Sequence, residues 1–260
     1  MTPFIYGIQG SIMAVIIRFP THTSSKGTNM KIGIVGAGNI GGALTRLLRA
    51  AGHEVTIANS RGPQSLTDLS AQTGARAAVI EDAVRGQEVV IVAVPTNKIP
   101  SLPRELFAST PADVVVIDTT NYYPQQRDGH LDGIEDARTE SEWVEQHLGH
   151  PVIKAFNTIL ATQLQPGAKP AGSADRIALA VAGDDARTKS KAMALIDEIG
   201  FDAVDAGTIA ESWRQQPGSP GYLKDYGVQG VRSALAEANP ERRPEWRATP
   251  NSPGTYDSPA

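Results

Sequence analysis

The stretch MKIGIVGAGNIGGAL, Met30 to Leu44, decides the fold. Lys31–Val35 alternates into a short apolar run of the kind that makes a first core strand, and Ile40–Gly52 follows with helical spacing, Ile40, Leu44, Leu47 and Leu48 on one face and Gly52 as the stop. Between them stands Gly36-Ala37-Gly38-Asn39-Ile40-Gly41, a G-x-G-x-x-G. The first glycine permits the tight turn, the second lets backbone approach a pyrophosphate, and the third lets helix pack on strand, while helix N-terminal amides meet the phosphate charge. Without flanking elements the same letters make only a glycine-rich turn. With a strand before it and a helix after it, the loop reads as a dinucleotide cradle made of Gly36, Gly38, Asn39, Ile40 and Gly41.

Outward from this unit, short apolar runs alternate with helix-period segments, which calls for parallel strands joined by right-handed crossovers. His53–Asn59, Ala75–Val79, Glu88–Pro95 and Asp113–Asn121 supply strands two to five. Pro151–Asn157, Arg176–Gly183 and Phe201–Gly207 supply three more. Thr139 with Glu142 spells a capping box for a helix through Leu148, and Asp184 or Asp185 caps another that Gly200 ends. The expected fold is α/β: a Rossmann doubly wound, mostly parallel sheet of six to eight strands with a small C-terminal helical cap. The expected divisions are an N-terminal extension over 1–29, the Rossmann domain over 30–207, the cap over 208–239 and a proline-interrupted, disordered tail over 240–260. The apolar run Ile8–Phe19 has no basic residue before it and is too short to span a bilayer. Residues 1–29 are therefore read as non-targeting, with Met30 as the expected translation start. Deleting them should leave soluble expression intact.

The end of strand two, about 20 residues past the loop, is where an acidic side chain grips the ribose of NAD. Here the chain reads Asn59-Ser60-Arg61. A carboxylate would repel an adenosine 2′-phosphate, whereas a guanidinium pairs with it bidentately and stacks on adenine, and the Ser60 hydroxyl adds a donor. The dinucleotide expected is NADP. Its nicotinamide should lie over the carboxyl ends of strands four and five and the one beyond, at Val94, Pro95, Asn121, Tyr122, Ala155, Phe156 and Asn157. Each of these also has an ordinary role as strand end, turn or core residue.

Composition narrows the rest. The chain has 260 residues, 40% of them hydrophobic, a formal net charge of −4 and no cysteine. Disulfides, thiol nucleophiles and Cys-ligated metals are excluded, and without a dense Lys/Arg cluster neither nucleic acid nor an anionic membrane is an expected partner. The expected partner is a small-molecule substrate, in the cytoplasm. No general acid or base stands out. His53 leads into strand two away from the ligand crevice. His130, His147 and His150 fall after strand five without metal spacing, so no metal is expected. Tyr122 and Tyr222 are followed four residues later by Gln126 and Tyr226, so the Tyr-Lys couple of one large dehydrogenase class is absent.

MKIGIVGAGNIGGAL, ANSRG, VIKAFNT, VAGDD and DAVDAG, in that order, resemble the coenzyme F420-dependent NADP oxidoreductases and their bacterial relatives. The resemblance implies NADPH along the glycine turn, its 2′-phosphate on Ser60 and Arg61, and its nicotinamide bordered by Ala155, Phe156 and Asn157. It further implies direct hydride transfer to the deazaflavin coenzyme F420 or a flavin as second substrate, or to a small carbonyl or imine acceptor, and a homodimer. ESWRQQPGSPGY (Glu211–Tyr222) is similar to the bacterial relatives in particular, with Glu211, Arg214, Gln215 and Gln216 as candidate substrate-side groups. Two other readings stand beside this one. A β-hydroxyacid dehydrogenase type enzyme would need a long helical second domain bearing a lysine, and too little chain follows strand six. A non-catalytic NADPH-binding redox sensor would bind without turnover.

Overall fold

The computed structural model describes residues 29–135, 139–240, 254–255 and 257–259. The N-terminal extension therefore lies outside the described residues except at Asn29, and the proline-rich tail lies outside them except at Pro240 and those last few positions.

The glycine unit forms as its letters demand. Strand β1 is Lys31–Val35, buried on both faces after its first residue, and helix α1 is Asn39–Ala50. Gly36 turns between them at φ +111°, where an added Cβ would stand 2.3 Å from the Ala93 carbonyl oxygen. At Gly41 a Cβ would stand 1.9 Å from the Gly36 oxygen, so helix and turn approach more closely than any side chain allows. Leu44 and Leu48 are fully buried, and Ile40 and Leu47 pack against the same core.

The chain continues through β2 (Glu54–Ala58), α2 (Thr67–Thr73), β3 (Arg76–Ala77), α3 (Ile80–Val84), β4 (Val89–Val92) and β5 (Val115–Asp118). Then come α4 (Glu140–Leu148), β6 (Ile153–Lys154), α5 (Ala161–Gly167), β7 (Ala178–Val181), α6 (Ala186–Glu198), β8 (Asp202–Asp205) and α7 (Val228–Glu237). Six strands make one parallel sheet in the order β3-β2-β1-β4-β5-β6, the order of the doubly wound Rossmann fold. β4 is apolar and buried at every position, as a strand covered on both faces must be. The remaining strands, β7 and β8, form a separate parallel pair. A single antiparallel bridge, Lys154 to Ala182, connects that pair to β6. The sheet of up to eight strands is thus a ladder of six and a ladder of two.

Both caps read in the sequence form. Thr139 accepts from the Glu142 amide and Glu142 returns a bond to the Thr139 amide at the start of α4. Asp185 accepts from the Thr188 amide at the start of α6. Among the C-terminal elements, α7 packs on β7 and β8. No helix among the described residues is long and apolar enough to cross a membrane.

His53, at the foot of β2, is 1% exposed. Burial pushes its imidazole below the ordinary value, outweighing the raising influence of Glu198 and Glu88. Above about pH 6.5 the ring is neutral folded and unfolded; as pH falls below that, the unfolded chain takes up a proton that the folded chain refuses, and stability is lost. Urea midpoints at about pH 7.5 and about pH 5.5 should therefore differ, and His53→Gln should shrink the difference.

Candidate active site

The carboxyl ends of β1, β4, β5 and β6 open on one side of the sheet, and the strand order reverses between β1 and β4. A ligand crevice belongs at such a reversal. Two hollows lie there. One, of about 420 Å³, is lined by Gly38, Asn39, Ile40, Val94, Pro95, Thr120, Asn121, Tyr123, Arg127, Phe156, Asn157, Tyr222 and Leu223 among others. The other, of about 490 Å³, lies over α1 and is lined by Gly38, Asn39, Arg46, Arg61, Ser65, Asp68 and Gln72 among others. Gly38, Asn39 and Ala161 line both, so the two meet over the N-terminus of α1.

That N-terminus is bare. Gly38 caps α1 with no side-chain bond and no acidic residue stands in its first turn. The first helical bond runs from Gly42 N–H to Gly38 O at 2.8 Å, leaving the preceding amides without helical acceptors. A Cβ at Gly38 would meet nothing within 4 Å. The floor of the junction is therefore exposed backbone at the positive end of a helix dipole, suited to a pyrophosphate.

In the hollow over α1, Asn59 organises the turn. Its Oδ1 accepts from Arg61 N–H at 2.9 Å, and its amide bonds Ser65 Oγ at 2.9 Å. Arg61 is exposed, and its guanidinium has no partner among the described residues. Ser60 is exposed at the turn and does not line the hollow; Asn59 holds the turn from behind. Arg46 reaches the same hollow from α1, its guanidinium bonded to Gly42 O at 3.2 Å and Gln72 Oε1 at 2.7 Å. Sequence reasoning missed Arg46 and Ser65. The signal for Arg46 was its place two turns into α1 on the side away from Leu44 and Leu48.

In the other hollow, Val94, Pro95, Asn121, Phe156 and Asn157 come together as expected. Two residues do not. Ala155 is fully buried, its N–H bonded to Asp118 O at 3.1 Å, so it lies behind the wall. Tyr122 is 5% exposed and packs in the core, its hydroxyl bonded to Gly129 O and Glu135 Oε1, both at 2.9 Å. Tyr123 lines the crevice in its place. The cause is a wide turn over Pro124–Asp128, in which Asp128 N–H reaches back to Tyr123 O at 2.9 Å. The fully buried Asp128 carboxylate accepts from Tyr123 N–H at 2.7 Å and pairs with Arg127 at 2.8 Å.

The polar wall is a network. Asn121 Nδ2 donates to Asn157 O at 2.8 Å, and Asn157 Nδ2 donates to Asn121 Oδ1 at 3.1 Å. Gln215, fully buried, donates to Asn157 Oδ1 at 3.0 Å and accepts at its backbone oxygen from Asn157 Nδ2 at 2.6 Å. Below it, Lys154 and Asp118 are register partners on β6 and β5, both with fully buried side chains and 3.1 Å apart. Ser141 donates to the same carboxylate at 2.7 Å, and Glu140 stands 3.9 Å from the Lys154 ammonium. Gln215 thus positions the wall rather than facing substrate. Glu211 caps Thr208, Arg214 bonds Leu235 O at 3.1 Å, and Gln216 is buried outside the crevice lining. His147 lies against Trp143, His150 bonds Pro151 and Pro111, and His130 is exposed beside Asp132. None of these three histidines lines the crevice.

Phe156, at φ +63°, and Leu223, at φ +54°, are the non-glycine residues with left-handed backbone among the described residues. Both line this hollow. Such conformations cost about 1–3 kcal/mol each and persist where surrounding structure enforces them, characteristically at functional sites.

Residues 31–122 match the sequence model of the family described as NADP oxidoreductase, coenzyme F420-dependent. Over a longer span the chain is 31% identical to the Sinorhizobium meliloti protein SMa0349, covering 76% of this chain and 95% of that one, with a TM-score of 0.65. The chain belongs to the coenzyme F420-dependent NADP oxidoreductase family. A structure from Arthrobacter sp. FB24, described as an F420-dependent NADP-reductase, is 24% identical over 71% of this chain and 87% of that one, with a TM-score of 0.56. At that identity it speaks to the fold alone. The Escherichia coli (strain K12) protein YjhV is 51% identical over 57 residues, 22% of this chain and 42% of that one. The chain therefore spans less than half the length of this curated relative. The family matched over residues 31–122 is one of NADP oxidoreductases. The bare helix terminus, the open space over Gly38 and the exposed guanidinium of Arg61 fit NADP(H).

Proposed function

We propose that the chain is an NADPH-dependent reductase that holds its cofactor across both hollows and delivers hydride to a deazaflavin or flavin-like ring, or to a small carbonyl or imine. The observation that carries this reading is the junction itself: a glycine floor at a bare helix terminus, with an exposed arginine that has no partner among the described residues on one side and an amide-lined slot on the other. Gly36, Gly38, Asn39, Ile40 and Gly41 bind the pyrophosphate through backbone. Arg61 takes the 2′-phosphate, with the Ser60 hydroxyl beside it and Asn59 holding the turn. Val94, Pro95 and Phe156 give the nicotinamide an apolar bed, and Asn121 and Asn157 orient it through amide groups already locked to one another.

Bound NADPH supplies the hydride from its nicotinamide ring. The chain's own contribution is alignment and exclusion of water: two flat rings brought face to face need proximity more than covalent help. The crevice fits such work, since its amide wall is braced by buried partners and its bed is apolar.

The test is NADPH oxidation, followed by absorbance, against coenzyme F420, free flavin, a quinone and a cyclic imine. Steady oxidation with one of them and a strong preference for NADPH over NADH is the expected result. Tight NADPH binding with no turnover across the panel would favour a sensor instead.

A further inference from the structure

The F420-dependent reading leaves a proton unaccounted for. Hydride adds two electrons to the acceptor, and the heteroatom conjugated to the reduced carbon must then gain a proton. We infer that the hydroxyls of Tyr123 and Tyr222, which meet at the wall of the nicotinamide-side hollow, are the proton donor for the acceptor. The inference rests on the cofactor reading above and adds residues that the reading does not use.

Tyr123 follows β5, and Tyr222 ends the segment after the turn over Ile209–Gln215. Their hydroxyls are hydrogen-bonded to each other across 99 positions of chain, and both side chains line the hollow. Each is held. The Tyr123 backbone is tied to the buried Asp128 carboxylate at 2.7 Å, and Arg127 stacks over its ring at 5.0 Å. Leu223, next to Tyr222, is pinned in its left-handed conformation by donating to Thr158 O at 2.9 Å. Beside these hydroxyls and the Asn121–Asn157 amides, the slot is lined by Arg127, Thr119 and Thr120 and by apolar groups such as Val94, Pro95, Phe156 and Ile159.

Each phenol carries one proton, and a single bond joins the two oxygens, with either able to donate. One phenolic proton is therefore left for the crevice, and when Tyr123 donates it is that of Tyr222. Burial, with Glu140 and Asp128 adding to it against Arg127 and Asn121, pushes the Tyr123 phenol up to about 12. Tyr123 therefore stays protonated at neutral pH.

Hydride from NADPH forms a C–H bond at the acceptor carbon, the Tyr222 O–H bond breaks, and its proton goes to the acceptor heteroatom. NADPH leaves as NADP⁺. The Tyr222 phenolate is held by the charge-assisted bond from Tyr123 and regains a proton from water when product departs, which its partly exposed position permits.

The test uses the full chain with Tyr123→Phe, Tyr222→Phe and, as a control outside the crevice, Tyr226→Phe. With coenzyme F420, riboflavin and a cyclic imine as acceptors, the first two should lower kcat about 10²-fold or more and raise the solvent isotope effect, while KM and calorimetric affinity for NADPH stay put. Tyr226→Phe should change neither. A second readout needs no turnover. In the cofactor-free protein, removing either hydroxyl should move the other's tyrosinate absorbance step to higher pH, because the phenolate loses its donor; independent hydroxyls would only lower the amplitude. An unshifted step overturns the pair whatever the turnover. If the wild type fails to bind NADPH, the cofactor assignment falls and the donor role with it. If NADPH binds and either crevice variant keeps the wild-type kcat and isotope effect, the proton-donor role alone falls.

Discussion

Lys154→Met should cost the fold about 3–5 kcal/mol, the penalty of stranding buried charge by removing one partner. The Lys154 and Asp118 side chains are fully buried and 3.1 Å apart, with the Glu140 carboxylate 3.9 Å from the ammonium. Lysine serves two carboxylates and the Thr120 carbonyl at once. Methionine fills its volume but answers none of them. Because a buried pair replaced as a unit is far less costly than one broken, Lys154→Met combined with Asp118→Asn should recover part of the loss. Urea denaturation of both variants checks this. A single-variant loss below about 1 kcal/mol would mean that the carboxylates find other relief, and the network would then not be what holds β5 against β6. Since Thr120 leads into Asn121, the variant that still folds should also align the nicotinamide side poorly.

Arg61→Ala should raise the dissociation constant for NADPH roughly ten- to hundredfold, the value of a charge-assisted bond to phosphate, and leave that for NADH nearly unchanged. The substitution is clean because Arg61 is exposed and its guanidinium holds nothing else among the described residues, so stability should move by less than about 0.5 kcal/mol. Ser60→Glu should act in the same direction by repulsion and improve NADH. Fluorescence titration with each dinucleotide measures both. Equal losses for NADPH and NADH would detach the turn from the 2′-phosphate.

What was legible in the sequence follows from how locally each feature is determined. The β1–α1 junction could be read because Gly36 and Gly41 stand where any side chain would strike backbone. The caps at Thr139 and Asp185 are settled within a few residues. The choice between Tyr122 and Tyr123 was not local. It turns on the wide turn over Pro124–Asp128, which the buried Asp128 carboxylate closes, and no periodicity announces such a turn. Gln215 reaches Asn157 across 58 positions of chain, and the Tyr123–Tyr222 pair spans 99; the sequence names these residues but not their meeting. The division between β6 and β7 depends on one antiparallel bridge, beyond the reach of a pattern that reads both as apolar runs. The left-handed backbone of Phe156 is imposed by tertiary structure, since nothing in a phenylalanine favours it.

The most direct measurement is calorimetric titration of the unmodified protein with NADP⁺ and with NAD⁺ at moderate salt. Saturable heat with NADP⁺ and binding at least tenfold weaker with NAD⁺ are the expected result. No heat with either nucleotide would contradict it.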